Sequence, residues 1–237
     1  MASNSTRSYT PTRNGTTSRT RNGLCEPRDC PNHCKVVVLG IAGVGKTALT
    51  VRYITKRFIG EYCPTLESIY TYSTALDTEE LRLDILDTAG KTEGHWKDYY
   101  ALWADCFAFV YSITDRQSFD SILGLKRHVE EIRQSSNIIG ILVGNKSDLL
   151  HDRQVPADEG SELADEIGCK FFEVSAADWT QVTDIEQMFL DLVREHRRQK
   201  SIREGRQRKT SSSTRFRQAI QKVISGKATV KRFPTTQ

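Results

Sequence analysis

KVVVLGIAGVGKTALTVRYITKRF, residues 35–58, sets an apolar run, a glycine-rich turn and a helical run in immediate succession. Val36, Val37, Val38 and Leu39 follow one another without polar alternation, the mark of a strand covered on both faces. The next eight residues, GIAGVGKT (40–47), satisfy G-x-x-x-x-G-K-[ST]. Physically, Gly40, Gly43 and Gly45 let the backbone N–H groups of Ile41, Ala42, Val44 and their neighbours turn inward around phosphate oxygens. The N-terminus of the helix entered at Thr47 and Ala48 adds positive potential. Lys46 is placed to reach the outer phosphates, and the Thr47 hydroxyl to ligate magnesium.

Outward from this loop the chain alternates strands and helices. IYTYSTAL and LRLDILD flank a turn at Asp77 and Thr78, and CFAFVYSIT is a further buried strand. A helix is expected over about 118–133, IIGILVGNK is a strand, a helix follows over about 157–167, CKFFEVSA is the last strand, and a long helix starts near Asp184. The short Val/Ile/Phe runs predict an α/β fold: a doubly wound P-loop nucleotide-binding sheet, mostly parallel with one antiparallel hairpin strand, and helices on both faces.

Asn145, Lys146, Ser147 and Asp148 follow the apolar strand IIGILVG directly. A carboxylate at that strand end accepts two hydrogen bonds from guanine, through N1–H and the 2-amino group. Adenine has an acceptor at N1 and no amino group at C2, so Asp148 selects guanine. Ser175 and Ala176 follow the last strand and are expected to close the base pocket through backbone N–H groups.

Charge is distributed unevenly. Residues 194–237 carry fourteen Lys/Arg against two acidic residues, and residues 1–34 carry five against two; with a total of +4, the middle of the chain is at −11. An acidic domain thus sits between a polar arm and a basic tail, and the partners of each are separate questions. No run approaches 18 consecutive apolar residues, which excludes a spanning helix, and the first 23 residues lack a secretory apolar segment. The six cysteines, 25, 30, 34, 63, 106 and 169, show no disulfide framework and fit a reducing compartment. Cys25, Cys30 and Cys34 with His33 do not have a usual zinc spacing, and Cys34 leads straight into a strand, so these read as free thiols.

The order P-loop, Pro64-Thr65, Asp87-Thr-Ala-Gly90, Asn145-Lys-Ser-Asp148, Ser175-Ala176 resembles the Ras family of small GTPases. The likeness covers about residues 34–200. It implies GTP/GDP and Mg2+ as ligands, with Phe58 stacked on guanine and Asp87 holding the magnesium through water. It also implies that Thr65 completes the metal shell only beside a γ-phosphate, that the Gly90 amide senses that phosphate, and that Ala177 lies beside the base. The chain would then divide into a disordered polar arm (1–33), a Ras-like G domain (34–200) and a basic tail (201–237). The TKRFIGEYCPTLES stretch, the ITDRQSF run and a tail without a terminal cysteine point to one branch of that family.

Two departures bear on chemistry. Lys91 stands where the family has the glutamine that orients the attacking water, and a lysine donates only. Ala42 replaces a glycine, putting a methyl group where a glutamine or an arginine finger approaches the γ-phosphate. Both changes predict slow GTP hydrolysis. By resemblance, Glu67 in the loop of Thr65 and Ser68 meets effector proteins; exchange and activating factors are not named by the sequence.

The tail is read as helical, broken in the polar run 210–214 and resumed as RFRQAIQKVI, where Phe216, Ile220, Val223 and Ile224 form one apolar stripe. The expectation is no lipid anchor at the C-terminus, with weak, salt-sensitive contact to anionic membrane through the tail. A cytoplasmic location follows, with nuclear entry or transient membrane contact left open. The competing readings are a GTP-loaded scaffold with essentially no hydrolysis and a nucleic-acid-binding tail; the sparse aromatics of the tail argue against the latter.

Overall fold

The computed structural model describes residues 32–59, 67–88 and 96–225, with the backbone alone described at 96–97 and 206–225. In chain order the elements are β1 His33–Leu39, α1 Lys46–Thr55, β2 Ser68–Leu76, β3 Glu79–Asp87, α2 Trp96–Trp103, β4 Cys106–Ser112, α3 Arg116–Arg133, β5 Gly140–Asn145, α4 Ala157–Glu166, β6 Lys170–Glu173 and α5 Val182–Ser225. The sheet order is β2-β3-β1-β4-β5-β6. Only β2 and β3 pair antiparallel; every other neighbouring pair is parallel. This is the mixed, mostly parallel sheet expected from the apolar runs.

The two-residue period of β1 sorts its side chains into two cores. Cys34, Val36 and Val38 face a layer that includes Leu49 and Tyr53 of α1 and Met188, Phe189 and Leu192 of α5. Val37 and Leu39 face the opposite layer, with Tyr100 of α2, Ile122 and Val129 of α3 and Ala164 of α4. Each fully buried aliphatic side chain contributes about 1.5–3 kcal/mol of transfer free energy, so both faces must be covered. Tyr53 stacks on Phe189 at 4.3 Å and meets Tyr72 edge-on at 5.3 Å, tying α1 to α5 and β2. Further along α5, Arg194 and Arg197 reach Asp77 and Glu79 at the β2–β3 turn, at 3.5 and 3.4 Å.

Three elements differ from the sequence expectation. Helix α1 stops at Thr55 because Lys56 turns into the left-handed region (φ 60) and its N–H donates to the Arg52 carbonyl. Phe58 is thereby released from the helix. Helix α2 had no signal strong enough to mark it. The break expected at 210–214 is absent: α5 runs unbroken from Val182 to Ser225. Serine and threonine cost less than about 0.7 kcal/mol each in a helix interior, and propagation of a helix already nucleated by core packing tolerates several of them. No glycine or proline occurs between 206 and 225, and the helix is described as far as Ser225. At about 1.5 Å per residue, this 44-residue helix carries the backbone of the basic segment well beyond the sheet. The side chains of the expected stripe, Phe216, Ile220, Val223 and Ile224, lie outside the described residues.

Candidate functional site

The loop between β1 and α1 is shaped by two close approaches. A Cβ on Gly40 would meet the Val110 carbonyl oxygen at 2.2 Å, and one on Gly45 would meet Asn145 Nδ2 at 2.2 Å. Gly45 also has φ 92, where an L side chain is strained. Helix α1 then begins with no side-chain cap and no acidic residue in its first turn. By contrast, α3 is capped by Asp115, which accepts from the Ser118 N–H at 3.3 Å. The leading N–H groups of α1 are therefore left for an anionic ligand. Ala42 and Gly43 are exposed at the mouth of the loop, whereas Val44 is fully buried and contributes its main chain.

Lys46 and Asp87 are the buried charges beneath this loop. Lys46 Nζ donates to the Gly40 and Ile41 carbonyls at 3.0 and 2.9 Å, using two of its three donors. Burial lowers its pKa to about 8, against the opposing pull of Asp87. Burial likewise raises the Asp87 carboxyl, against a hydrogen bond from Thr47 and the charge of Lys46. Asp87 Oδ1 is buried without a hydrogen-bond partner among the described residues. Both groups are pushed toward their neutral forms, and phosphate beside Lys46 with a cation beside Asp87 would reverse both shifts. An orphaned carboxylate oxygen next to a threonine hydroxyl fits a hard divalent ion, which takes oxygen ligands. Thr47 and Asp87 would hold magnesium there, and the ion would supply neutralisation of phosphate charge. Thr88, next in the chain, donates its hydroxyl to the Val38 carbonyl at 2.7 Å, fixing the end of β3 to β1.

Beside the loop lies a cleft of about 350 Å3. Gly43, Gly45, Ala48, Phe58, Asn145, Lys146, Asp148, Ser175, Ala176 and Ala177, all read from the sequence as ligand-binding, line it together with Leu149. Asn145, 2% exposed, is its brace: Nδ2 donates to the Val44 carbonyl at 2.8 Å and Oδ1 accepts from the Ala176 N–H at 3.2 Å. The Ser175 hydroxyl donates to Asp148 Oδ1 and accepts from the N–H groups of Ala177 and Asp178, at 3.1 and 3.2 Å. Asp148 is thus aimed by a buried serine, leaving acceptor capacity for two donors of a planar base. Lys146 makes the turn with φ 67.

The expectation that Ser175 and Ala176 close the pocket with their backbone N–H groups is corrected: the Ala176 N–H donates to Asn145 Oδ1 at 3.2 Å, and that of Ser175 donates to Gln181 Oε1 at 2.7 Å. The contribution of Ser175 is the hydroxyl. Gln181 was not marked by the sequence, since it lies in a stretch without periodicity and acts through a loop closure. Arg52 was missed as well. It is 4% exposed, and its guanidinium donates to the Ala176 and Ala177 carbonyls at 2.7 and 2.8 Å and to Lys56 at 3.3 Å. It also lies 5.9 Å from the ring centre of Phe58, which is 47% exposed at the cleft rim. A buried arginine in no ion pair among the described residues, spent on carbonyls, ties the base-side loop to α1; its only sequence signal is a charge on the core-facing side of a helix.

Thr65, Gly90 and Lys91 lie outside the described residues. Glu67 is exposed and Ser68 opens β2. His33 is held by Asp84 at 2.7 Å, so its ring nitrogen is spent on a hydrogen bond rather than grouped with Cys34.

Comparison with known proteins places this geometry in context. The sequence profile of the Ras family matches residues 35–198. The chain is 46% identical over 191 residues to the Ras-related and estrogen-regulated growth inhibitor of Homo sapiens and, equally, of Bos taurus, covering 81% of this chain and 94% of theirs. It is 40% identical over 192 residues to the Ras-like protein rasS of Dictyostelium discoideum, covering 81% and 96%. It is 43% identical over 165 residues to the GTP-binding protein Rit1 of Mus musculus, covering 69% and 74%.

Proposed function

The chain belongs to the Ras family of small GTPases, and on that premise we propose that it is a guanine-nucleotide switch with slow GTP hydrolysis of its own, acting through proteins that read the loop at 65–68. The observation that carries the nucleotide reading is the brace at Asn145, which joins the phosphate loop to the base loop across one buried side chain. The slow step is argued from Lys91. A glutamine amide both accepts from the attacking water and donates, whereas an ammonium cannot accept. A cation that touches the γ-phosphate equally in ground and transition states tightens binding without speeding the reaction.

Single-turnover GTP hydrolysis by the full chain, wild type beside Lys91→Gln, tests this. We expect the glutamine variant to be at least about tenfold faster, short of the roughly 10²–10⁴ a fully positioned catalytic group supplies, because Ala42 stays in place. A slower or unchanged variant overturns the reading of Lys91 and leaves Ala42 and the loop geometry to set the rate. Nucleotide retention without measurable turnover in either protein would favour a GTP-loaded scaffold instead.

The lowered pKa of Lys46 gives a second expectation. Bound phosphate beside the ammonium raises its pKa above the free-protein value of about 8. A group whose bound pKa is the higher one favours binding fully below its free pKa, and the gain is lost as pH rises through the bound one. GDP affinity measured from about pH 7 to about pH 9, below the ionisation of the guanine N1–H that Asp148 needs, should therefore be flat at first and then fall with a slope approaching tenfold per unit. In Lys46→Arg, whose charge does not titrate in this range, the slope should vanish whatever the absolute affinity.

The basic segment continues α5 as backbone helix, and fourteen Lys/Arg lie in residues 194–237. At about 1 kcal/mol per basic residue near an anionic leaflet, weak membrane contact is the role proposed for it. Binding to vesicles containing phosphatidylserine should fall steeply with salt and with aspartate at 211–213; binding indifferent to both rules the role out.

A further inference from the structure

The end of the sheet opposite the nucleotide loops holds a group of side chains that the switch reading does not use. Cys34 opens the buried part of β1 and Cys106 opens β4, on the face covered by α1 and α5. Their Sγ atoms lie 3.3 Å apart, and both residues are at most 1% exposed. His196 of α5 completes the group: one ring nitrogen and the two sulfurs all lie within 4.8 Å of one another. His196 Nδ1 is buried with no hydrogen-bond partner among the described residues. A buried imidazole nitrogen without a partner loses its hydration without compensation, and two thiols are weak donors that make up little of it.

We propose that Cys34, Cys106 and His196 form a binding site for one thiophilic d10 ion, Zn2+ or Cu+, which clips α5 to the N-terminal edges of β1 and β4. The donor set is two sulfurs and one imidazole with no carboxylate, which suits soft and borderline ions and not magnesium or calcium. The sulfur pair needs little movement, and the His196 ring has to close on it from within 4.8 Å. A metal about 2.3 Å from each sulfur at a tetrahedral angle separates them by about 3.8 Å, so the pair must open by roughly half an ångström. Binding replaces the two thiol protons: both leave to solvent, and the ion takes two thiolates and the neutral imidazole. The guanidinium of Arg133, 5.3 Å from the ring centre of Phe107, acts on Cys106 in favour of the thiolate, against the larger opposing effect of the Asp105 carboxylate, so the charge of the ion itself must stabilise the thiolates. Three protein donors satisfy trigonal Cu+, whereas Zn2+ would need water at the half-buried His196 side as a fourth.

The test uses the full chain with GDP and excess Mg2+ bound, kept reduced, dialysed against buffered Zn2+ or, without oxygen, against chelator-buffered Cu+. Wild type should take up one equivalent of one of the two ions, and which ion does so separates zinc from copper. Cys106→Ser and His196→Gln should each weaken uptake at least tenfold while GDP stays bound. His196 is half-buried, so its variant remains informative if Cys106→Ser does not fold. Cys25→Ser with Cys30→Ser should bind as wild type does, and Co2+ used as the zinc surrogate should show sulfur-to-metal charge transfer that Cys106→Ser loses. Absence of stoichiometric uptake of either ion, full uptake by His196→Gln, or loss of uptake in the Cys25/Cys30 variant overturns the proposal.

Discussion

Asn145→Ala is expected to weaken GDP binding by about a hundredfold or more. The substitution removes a donor to the Val44 carbonyl and an acceptor for the Ala176 N–H, both inside a side chain that is 2% exposed. Each buried group left unpaired costs about 1–3 kcal/mol, and a hundredfold in affinity is about 2.7 kcal/mol. The cost falls on the nucleotide-bound form because the two loops that Asn145 joins are the ones that close around phosphate and base. Dissociation of a fluorescent GDP analogue measures it, with thermal unfolding of the nucleotide-free protein as the companion. A variant that releases nucleotide at the wild-type rate while melting lower would show that the brace serves the fold alone. Asn145→Asp should fall between the two, since it keeps an acceptor for Ala176 and loses the donor to Val44.

Asp148→Asn should change which base is held. In the role proposed for it, the carboxylate accepts from two donors on the guanine edge; an asparagine amide offers one acceptor and one donor, so one bond would be lost and a donor would face a donor. Hydrogen bonds to charged groups contribute about 1.5–3 kcal/mol each, so GDP affinity should fall by about tenfold to more than a hundredfold. A base with a carbonyl at C2, as in xanthine, meets the new amide donor with an acceptor and should bind the variant better than it binds wild type. Parallel titration with GDP and XDP decides this. Equal weakening of both would place Asp148 in loop structure, where its bond from Ser175 also lies, and not in base selection.

The sequence determined the fold and most of the cleft by itself, for a physical reason that can be traced residue by residue. A glycine-rich turn between an apolar strand and a helix has few alternatives: Gly40 and Gly45 admit no Cβ, and the capless helix start leaves N–H groups that suit an anion. Strand type followed equally from uninterrupted apolar runs, because a strand buried on both faces cannot alternate. Asp148 and Lys46 were legible because their chemistry sits at fixed distances from those elements along the chain.

Tertiary structure alone decided how these parts are held. Arg52, Gln181 and the Ser175 hydroxyl act on backbone groups far away in sequence, and no local pattern encodes which carbonyl a buried guanidinium will find. The end of α1 at Thr55 and the persistence of α5 through 210–214 likewise turned on a left-handed cap and on an already packed helix, both of which override the weak propensities of single residues. The meeting of Cys34, Cys106 and His196 belongs to the same class: 72 residues separate the two thiols, and only the parallel pairing of β1 with β4 under α5 brings them face to face.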